Sequence, residues 1–473
     1  MANTSLRREV SVTGNRRIFT FSAWFKKASI GAIGNLFSQY VGSGSANIAT
    51  HFRIRFGTTD NLQVAAGGTD LLITNRLFRD TSSFYHLVIA VDTTQGTADD
   101  RVKLYINGVQ ETSFATRNNP SQNVDTVVNL AGSSHYPRIG ADDSDGNGPY
   151  GFFDGLMSHV HFVDGTAYAA STFGSTDSTT GEWKINTAPT LTMGTNGFTI
   201  LKDGNTITDQ SANSNNFTLV AGTLTKTEDS PSNVFNVWNR NFLTRHHNES
   251  TSIPGMLQNG NATFNSTANA FFGYKAGTLG ATSGKWYWEG KIIDNGRMYI
   301  GICYPNVVQG INEPHYDNQT YSAVTINNAG EVYGRYTGSA IDEYASSVSF
   351  ANNDIIGFAL DMDNKALYIH KNGTYINSGN PASGASRTGS VIEQLTGTRD
   401  SYLGSGDFVS PFVGDPSNSG TFHCENNFGN GFFGTTGITT NSGNGYAGAE
   451  GSSIFNYQPP TGYSALSTKG LNQ

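Results

Sequence analysis

The sequence predicts an all-β protein made of two tandem jelly-roll β-sandwiches with little helix. Three observations lead there. The first is composition: the 473 residues include 56 Gly and 12% aromatics but only 14% charged residues, against about 25% in average proteins. Gly, Thr, Asn and aromatic residues make weak helices and suit short strands joined by turns. The second is periodicity. No segment sustains a 3.6-residue apolar repeat, while short apolar runs recur at roughly 8–15-residue spacing between Gly/Asn turns. The third is a hairpin written twice. Phe84 to Asp92 is an apolar run, and Arg101 to Ile106 alternates before closing on Asn107-Gly108. Asp354 to Asp361 and Lys365 to Lys371 repeat the device and close on Asn372-Gly373. Asn-Gly tolerates positive φ and marks a tight hairpin turn.

In the first unit, placed at 1–230, Ile18 to Lys27 alternates Phe19, Phe21, Ala23 and Phe25 against Thr20, Ser22 and Trp24, so one strand face is almost wholly aromatic. Leu36 to Tyr40, His51 to Phe56 and Leu62 to Val64 read as further strands. After the hairpin come Pro137-Arg-Ile-Gly and Leu156 to Val163, then late strands at Gly197 to Leu201 and Asn216 to Val220. Residues 231–241 read as a linker, but Val234, Phe235, Val237 and Trp238 require it to pack on something. The second unit is placed at 242–440. Lys285-Trp-Tyr-Trp-Glu sets two tryptophans on one face and Tyr287 on the other. Met298 to Cys303, Ala323 to Ile326, Glu331 to Tyr336, Ser347 to Phe350, Val409 to Val413 and Thr421 to Phe428 are its other strands. A Gly/Asn/Ser-rich tail, 441–473, is too poor in apolar residues to be a domain and is expected to drape over the second unit or meet a neighbour.

The net charge of −8 and the lack of a basic block interleaved with aromatics argue against nucleic acid as a partner. No apolar run approaches the roughly 18 residues of a membrane span, so membrane insertion is not expected. Met1 to Arg8 lacks the apolar core of a signal peptide, which leaves release by lysis as one route out of a cell. Cys303 and Cys424 lie in strand-like surroundings and read as buried small apolar residues rather than as a disulfide. Their spacing gives no zinc motif.

Phe19 to Phe25, the Phe84 to Gly108 hairpin, Arg138-Ile-Gly and Phe152 to Gly174, with its Phe-Phe-Asp-Gly … Phe-Val-Asp-Gly-Thr-Ala phrase, together resemble the concanavalin A-like, laminin-G-like domain. The variant resembled is that of structural proteins in marine (cyanophage-type) tailed phages. Gly284-Lys-Trp-Tyr-Trp-Glu, Ile300-Gly-Ile, Asp354 to Leu360 and Leu367 to Gly373 resemble a SPRY domain, also a concanavalin-like sandwich. The resemblance implies a virion surface protein, a tail fibre or other surface fibre, assembled in the host cytoplasm and released by lysis. It implies other virion proteins and host-surface polysaccharide or lipopolysaccharide as partners, and a homo-oligomer, with a trimer favoured. Where such fibres carry an N-terminal anchor, this chain begins almost at once with sandwich sequence. Attachment is then expected through a short N-terminal arm or through domain surfaces.

Concanavalin-like glycosidases carry Glu-x-Asp-x-Glu, because a retaining nucleophile and acid must stand about 5–5.5 Å apart. That triplet is missing, as is a Gly-x-Ser-x-Gly elbow. Glu289 stands alone, and Asp361 and Asp363 sit at a turn. The expectation is therefore binding without catalysis, with a decoration or scaffold subunit and a polysaccharide-degrading tailspike as alternatives.

Sugar rings stack on aromatic side chains while polar groups fix their hydroxyls. Tyr136, Asp142, Asn147 and Tyr150 cluster in sequence as ligand candidates in the first unit. Tyr333, Arg335 and Tyr336, with Tyr316 and Asn318, do so in the second. Asp143-Ser-Asp145-Gly-Asn147-Gly148 with Asp154 nearly matches a calcium loop, Asp standing where Glu is usual; no cofactor is required, and calcium is the one candidate. The alternative is a solvated acidic hairpin loop. His159 with His161 and His246 with His247 lack a third ligand at suitable spacing and read as surface or partly buried polar residues.

Overall fold

A computed structural model of the protein describes residues 3–472 except 42–46, 133–134, 144–147, 203–205, 243–255, 267–272, 306–322, 336–341, 396–401, 404–407, 416–419 and 439–444. The chain divides into two compact units, Met1–Lys226 and Thr227–Gln473. Each is built on a pair of large antiparallel sheets with a small two-stranded sheet beside them, and helix among the described residues is limited to short 3-10 turns, the four-residue Thr468–Leu471 and single residues at Pro305 and Tyr402.

In the first unit one sheet runs Phe114–Arg117, Thr69–Leu77, Asn61–Ala66, His51–Phe56, Gly34–Tyr40, Tyr136–Ile139, Ser5–Arg7 and Thr218–Ala221. The other runs Phe198–Ile200, Gly155–Asp164, Ile18–Lys27, Tyr85–Asp92, Val102–Ile106 and Val109–Gln110. The aromatic face of Ile18–Lys27 is the core. Phe19 meets Phe52 at 5.5 Å, Phe21 meets Phe37 at 5.3 Å and Phe25 meets Phe56 at 5.2 Å across the sheets. Each such pair adds about 0.5–1.5 kcal/mol beyond the area it buries. The opposite face of the strand, Thr20 and Ser22, is buried too. Segment 166–191 covers it with Tyr168, Phe173, Trp183 and Leu191.

In the second unit one sheet runs Leu257–Gln258, Thr263–Asn265, Phe422–Asn427, Lys285–Asn295, Ile355–Asp361, Ala366–Lys371 and Thr374–Tyr375, with Ser464–Ala465 parallel to Trp286–Tyr287. The other runs Gly273–Ala276, Ser410–Asp415, Tyr299–Cys303, Ala323–Asn327, Glu331–Arg335 and Asp342–Ala345. Trp286 and Trp288 enter the core, Trp288 stacking on Phe358 at 5.2 Å, while Tyr287 points outward as the alternation requires. Phe235, Phe455, Tyr463 and Ala465 close over Tyr287, Ala359 and Tyr368. Residues on both sides of the sheet-forming chain, 227–241 and the C-terminal strap, are thus part of this unit's packing.

One strand expectation needs correction, and one long strand goes unread in the sequence. Ser347 to Phe350 is not a strand; the edge strand is Asp342–Ala345, and Phe350 is buried from a loop whose backbone amide bonds Asn328. Thr69–Leu77 is a nine-residue strand whose polar ends, Thr69-Asp70 and Asn75-Arg76, masked its short apolar middle. Both cysteines are buried free thiols, one in each sheet.

Candidate functional site

The outward face of the first unit's eight-stranded sheet assembles from residues far apart in sequence. Phe52, Ile54 and Phe56 are buried in the core, so His51, Arg53 and Arg55 take the other face. Strand register then sets Tyr136 beside Tyr40 and Tyr40 beside His51. The next row is Arg7, Arg138, Ser38 and Arg53. The Arg7 guanidinium lies 4.4 Å from the centroid of the Tyr136 ring, a cation–π contact.

Asp142 ties the following loop to this face. Its carboxylate has no exposed surface. It accepts from His51 Nε2 at 3.0 and 3.1 Å, from the Tyr150 hydroxyl at 2.9 Å and from the Asp143 amide at 2.8 Å. Burial alone would raise this carboxyl; the bond and charge of His51, the Asp143 amide and Tyr150 hold it below its ordinary value. Asp142 and Tyr150 also exchange both backbone hydrogen bonds, each 2.9 Å. Tyr150 is therefore fixed at backbone and hydroxyl, leaving its partly buried ring as the variable surface.

Three of the sequence candidates, Tyr136, Asp142 and Tyr150, are thus brought together, Asp142 as the buried floor. Asn147 and Asp145 lie outside the described residues. Asp143 bonds the Arg138 guanidinium, whose charge opposes a bound cation. The Asp154 carbonyl accepts from the Ala28 amide at 2.9 Å. Among the described residues no group of three His, Cys, Asp or Glu side chains is placed to hold a metal ion. A bulge at His159 breaks the alternation; His159 bonds Ser158 and His161 bonds Thr199, and both rings are buried. His246 and His247 lie outside the described residues.

In the second unit Tyr333 stands on the outward face of the six-stranded sheet, 5.7 Å from Tyr299, and its hydroxyl donates to Glu331 at 2.7 Å. Burial, then that carboxylate, pushes the phenol up. Arg335 ends its strand opposite Ala323. Tyr336, Tyr316 and Asn318 lie outside the described residues. Sequence reading missed Arg7, Tyr40, His51, Arg53 and Arg55. The last three were visible as His-Phe-Arg-Ile-Arg-Phe alternation; the first two depend on register between distant strands.

Serine and histidine meet at Ser158 Oγ, 2.7 Å from Nδ1 of the adjacent His159, and at Ser22 Oγ, 2.9 Å from His86 Nε2. The Trp183 indole donates to His86 Nδ1 at 3.1 Å. That bond leaves the ring proton on Nε2, which donates to Ser22, so His86 cannot take the serine proton. Burial pushes the imidazole down to about 3. Asp361 and Asp363 serve turns: Asp361 accepts from the Asn364 amide and carboxamide, and Asp363 from the Gly284 amide.

Glu289 is wholly buried on the outward face of its strand. It accepts from Tyr457 N at 2.7 Å, Asn456 N and the Tyr287 hydroxyl at 2.9 Å, and Asn427 Nδ2 at 3.3 Å. Tyr287 Oη also lies 2.7 Å from His370 Nε2, and the Gly373 amide donates to His370 Nδ1 at 3.1 Å. The Gly373 bond sets the direction of the chain: His370 donates to Tyr287, and Tyr287 to Glu289. It is a locking network closed by the C-terminal strap.

No curated protein matches the chain. Similar solved structures include the SPRY domain of human HERC1, 17% identical over 34% of this chain and 84% of that one with a TM-score of 0.23. The LG4-5 domains of the mouse laminin α1 chain are 6% identical over 89% and 85%, with a TM-score of 0.27. A heptameric SAP-like pentraxin from Limulus polyphemus is 13% identical over 47% and 90%, with a TM-score of 0.28. Residues 5–171 match the concanavalin A-like lectin/glucanases superfamily in its laminin G form, and residues 285–388 match the SPRY domain. The chain thus carries a laminin-G-type, concanavalin-like domain followed by a SPRY domain.

Proposed function

We propose that the protein is a non-catalytic glycan-binding protein whose first unit binds sugar on the outward face of its eight-stranded sheet. The observation that carries this is the neighbouring pair Tyr136 and Tyr40, partly buried on that face, with Tyr150 pinned beside them by Asp142. Aromatic rings held over a polar floor, in which buried Asp142 accepts from His51 and Tyr150, suit a sugar ring, which offers an apolar face and polar edges. The match of residues 5–171 to a lectin and glucanase superfamily supports the same reading. Against hydrolysis stand the isolated, saturated Glu289 and the tautomer of His86.

The biological setting we propose is a phage virion, as a tail fibre or other surface fibre adhering to host polysaccharide and assembled as a homo-oligomer. The Phe152 to Gly174 phrase supports it. A decoration subunit holding other virion proteins is the second reading, favoured by the same phrase without the sugar. Glycan-array binding combined with a reducing-sugar release assay tests the function. Binding without release is expected, and release at catalytic rates would overturn it. Gold-labelled antibody on intact phage particles that decorates no surface structure would overturn the setting.

A further inference from the structure

Two of the three tyrosines of this face, Tyr136 and Tyr150, have a guanidinium in reach. Arg7 lies over Tyr136 at 4.4 Å. Arg55 follows Arg53 along the same strand face, between Asn35 and Gln63 of the flanking strands, with Asp70, Tyr150 and Asp142 in electrostatic reach. The other two arginines of the face are engaged: Arg138 bonds Asp143, and Arg53 stands 3.6 Å from Asp142. Arg7 and Arg55 have no carboxylate at ion-pair distance among the described residues; Arg55 Nε instead donates to the neutral Gln63 at 2.9 Å. Both are partly buried. Burial, followed by the charge of Arg53, pulls the Arg55 guanidinium below its ordinary value, against the opposing pull of Asp70, Tyr150 and Asp142. Four guanidinium groups on neighbouring strand positions are unusual in a chain with a net charge of −8 and only 29 Lys and Arg. That overall charge repels polyanions, so any attraction has to be local.

We propose that the ligand of this face is an acidic glycan, bearing carboxylate or sulfate groups, whose anions are taken by Arg7 and Arg55 while Tyr136 and Tyr150 take the sugar rings. This rests on the glycan-binding reading and adds the ligand's charge class. An arginine fork matches both anions in planar, two-point geometry, and a guanidinium held against an aromatic ring is already oriented for one.

The test is a glycan array carrying neutral, uronate-bearing, sialylated and sulfated glycans, probed with the full chain at low and high salt. The expected result is at least about tenfold stronger binding to acidic glycans than to neutral ones, weakened by salt. The strongest acidic class tells carboxylate from sulfate. R7Q and R55Q are each expected to lower acidic binding about fivefold or more, while K184Q, at an exposed hairpin lysine paired with Asp177, leaves it unchanged. Circular dichroism of each variant shows that the fold is intact. Equal binding to neutral glycans would overturn the charge assignment and leave the glycan reading standing. Acidic binding insensitive to both arginine variants would also overturn it. Binding to no glycan removes the underlying reading itself.

Discussion

Asn107 and Asn372 hold the same position in the two units and make the same pair of bonds. The carboxamide oxygen of Asn107 accepts from the His86 amide at 2.7 Å, and its own amide donates back to the His86 carbonyl at 2.9 Å. Asn372 brackets Ile355 in the same way, both bonds 2.8 Å. Both asparagines adopt left-handed φ, 48° and 49°, and each is followed by a glycine at 82° or 84°. The repeated hairpin is therefore conserved in its turn chemistry within one chain. N107A and N372A should each destabilise their own unit by about 1–3 kcal/mol, combining a lost bond with left-handed strain. N107G and N372G should cost less, since glycine relieves the strain. Denaturant melts of the four variants check the order; equal losses for Ala and Gly would show that φ is not part of the cost.

Glu289 gives the second unit a predictable pH dependence. Burial, opposed by the four donors, raises its carboxyl from 4.5 to about 7 in the folded chain. The folded state then holds its proton at pH values where the unfolded state has released it. Stability from this group is full below about pH 4.5, declines as pH rises towards 7, and is level above. The size is on the order of 3 kcal/mol. E289Q should abolish this slope. It should also lower stability by about 1–3 kcal/mol at acid pH, because its amide would face converging donors. Thermal melts of wild type and E289Q between pH 4 and 8 check both, and identical slopes would refute the assignment.

The two roles of Tyr150 can be separated. Y150F keeps the ring and loses the bond to Asp142, so glycan affinity should fall about threefold or less. Y150A removes the stacking surface as well and should cost about tenfold. D142N sets a donor against His51 Nε2 or the Tyr150 hydroxyl and should loosen the loop as much as Y150F does, read as faster amide exchange at Tyr150. A D142N protein whose loop exchanges like wild type would show that the carboxylate does not anchor it.

Acid should act on the first unit in the opposite sense to the second. Asp142 titrates below its ordinary 3.8 when folded. Its stabilising share is present above that value and is lost as pH falls through the lowered one. A pH titration of D142N against wild type below pH 4 checks the sign: the wild type should lose stability more steeply.

How much of this was legible in the sequence follows from the range of the interactions. Alternation is local, so the aromatic face of Ile18–Lys27 and the split of Trp286 and Trp288 from Tyr287 were readable directly. The Asn-Gly hairpins were readable too, because their turn chemistry is confined to two residues. The binding face was only half readable. Tyr136, Asp142 and Tyr150 lie close together in the chain, whereas Tyr40, His51 and Arg7 join them through register across strands as much as 133 residues apart, as between Leu6 and Ile139. Phe350 misled because a loop residue can be as buried as a strand residue, and no local period distinguishes them.

The C-terminal strap has a consequence for how the chain is made. Glu289 is emplaced in the centre of a sheet, yet two of its four donors come from amides 167 and 168 residues later. Until the ribosome has released Asn456 and Tyr457, that carboxylate has no complete shell, and Tyr287 has no Phe455 and Ala465 to cover it. The second unit therefore cannot finish folding during most of its own synthesis. A message cut short before the strap yields a chain whose sheet face around Tyr287, Ala359 and Tyr368 lacks Phe455, Tyr463 and Ala465 to cover it.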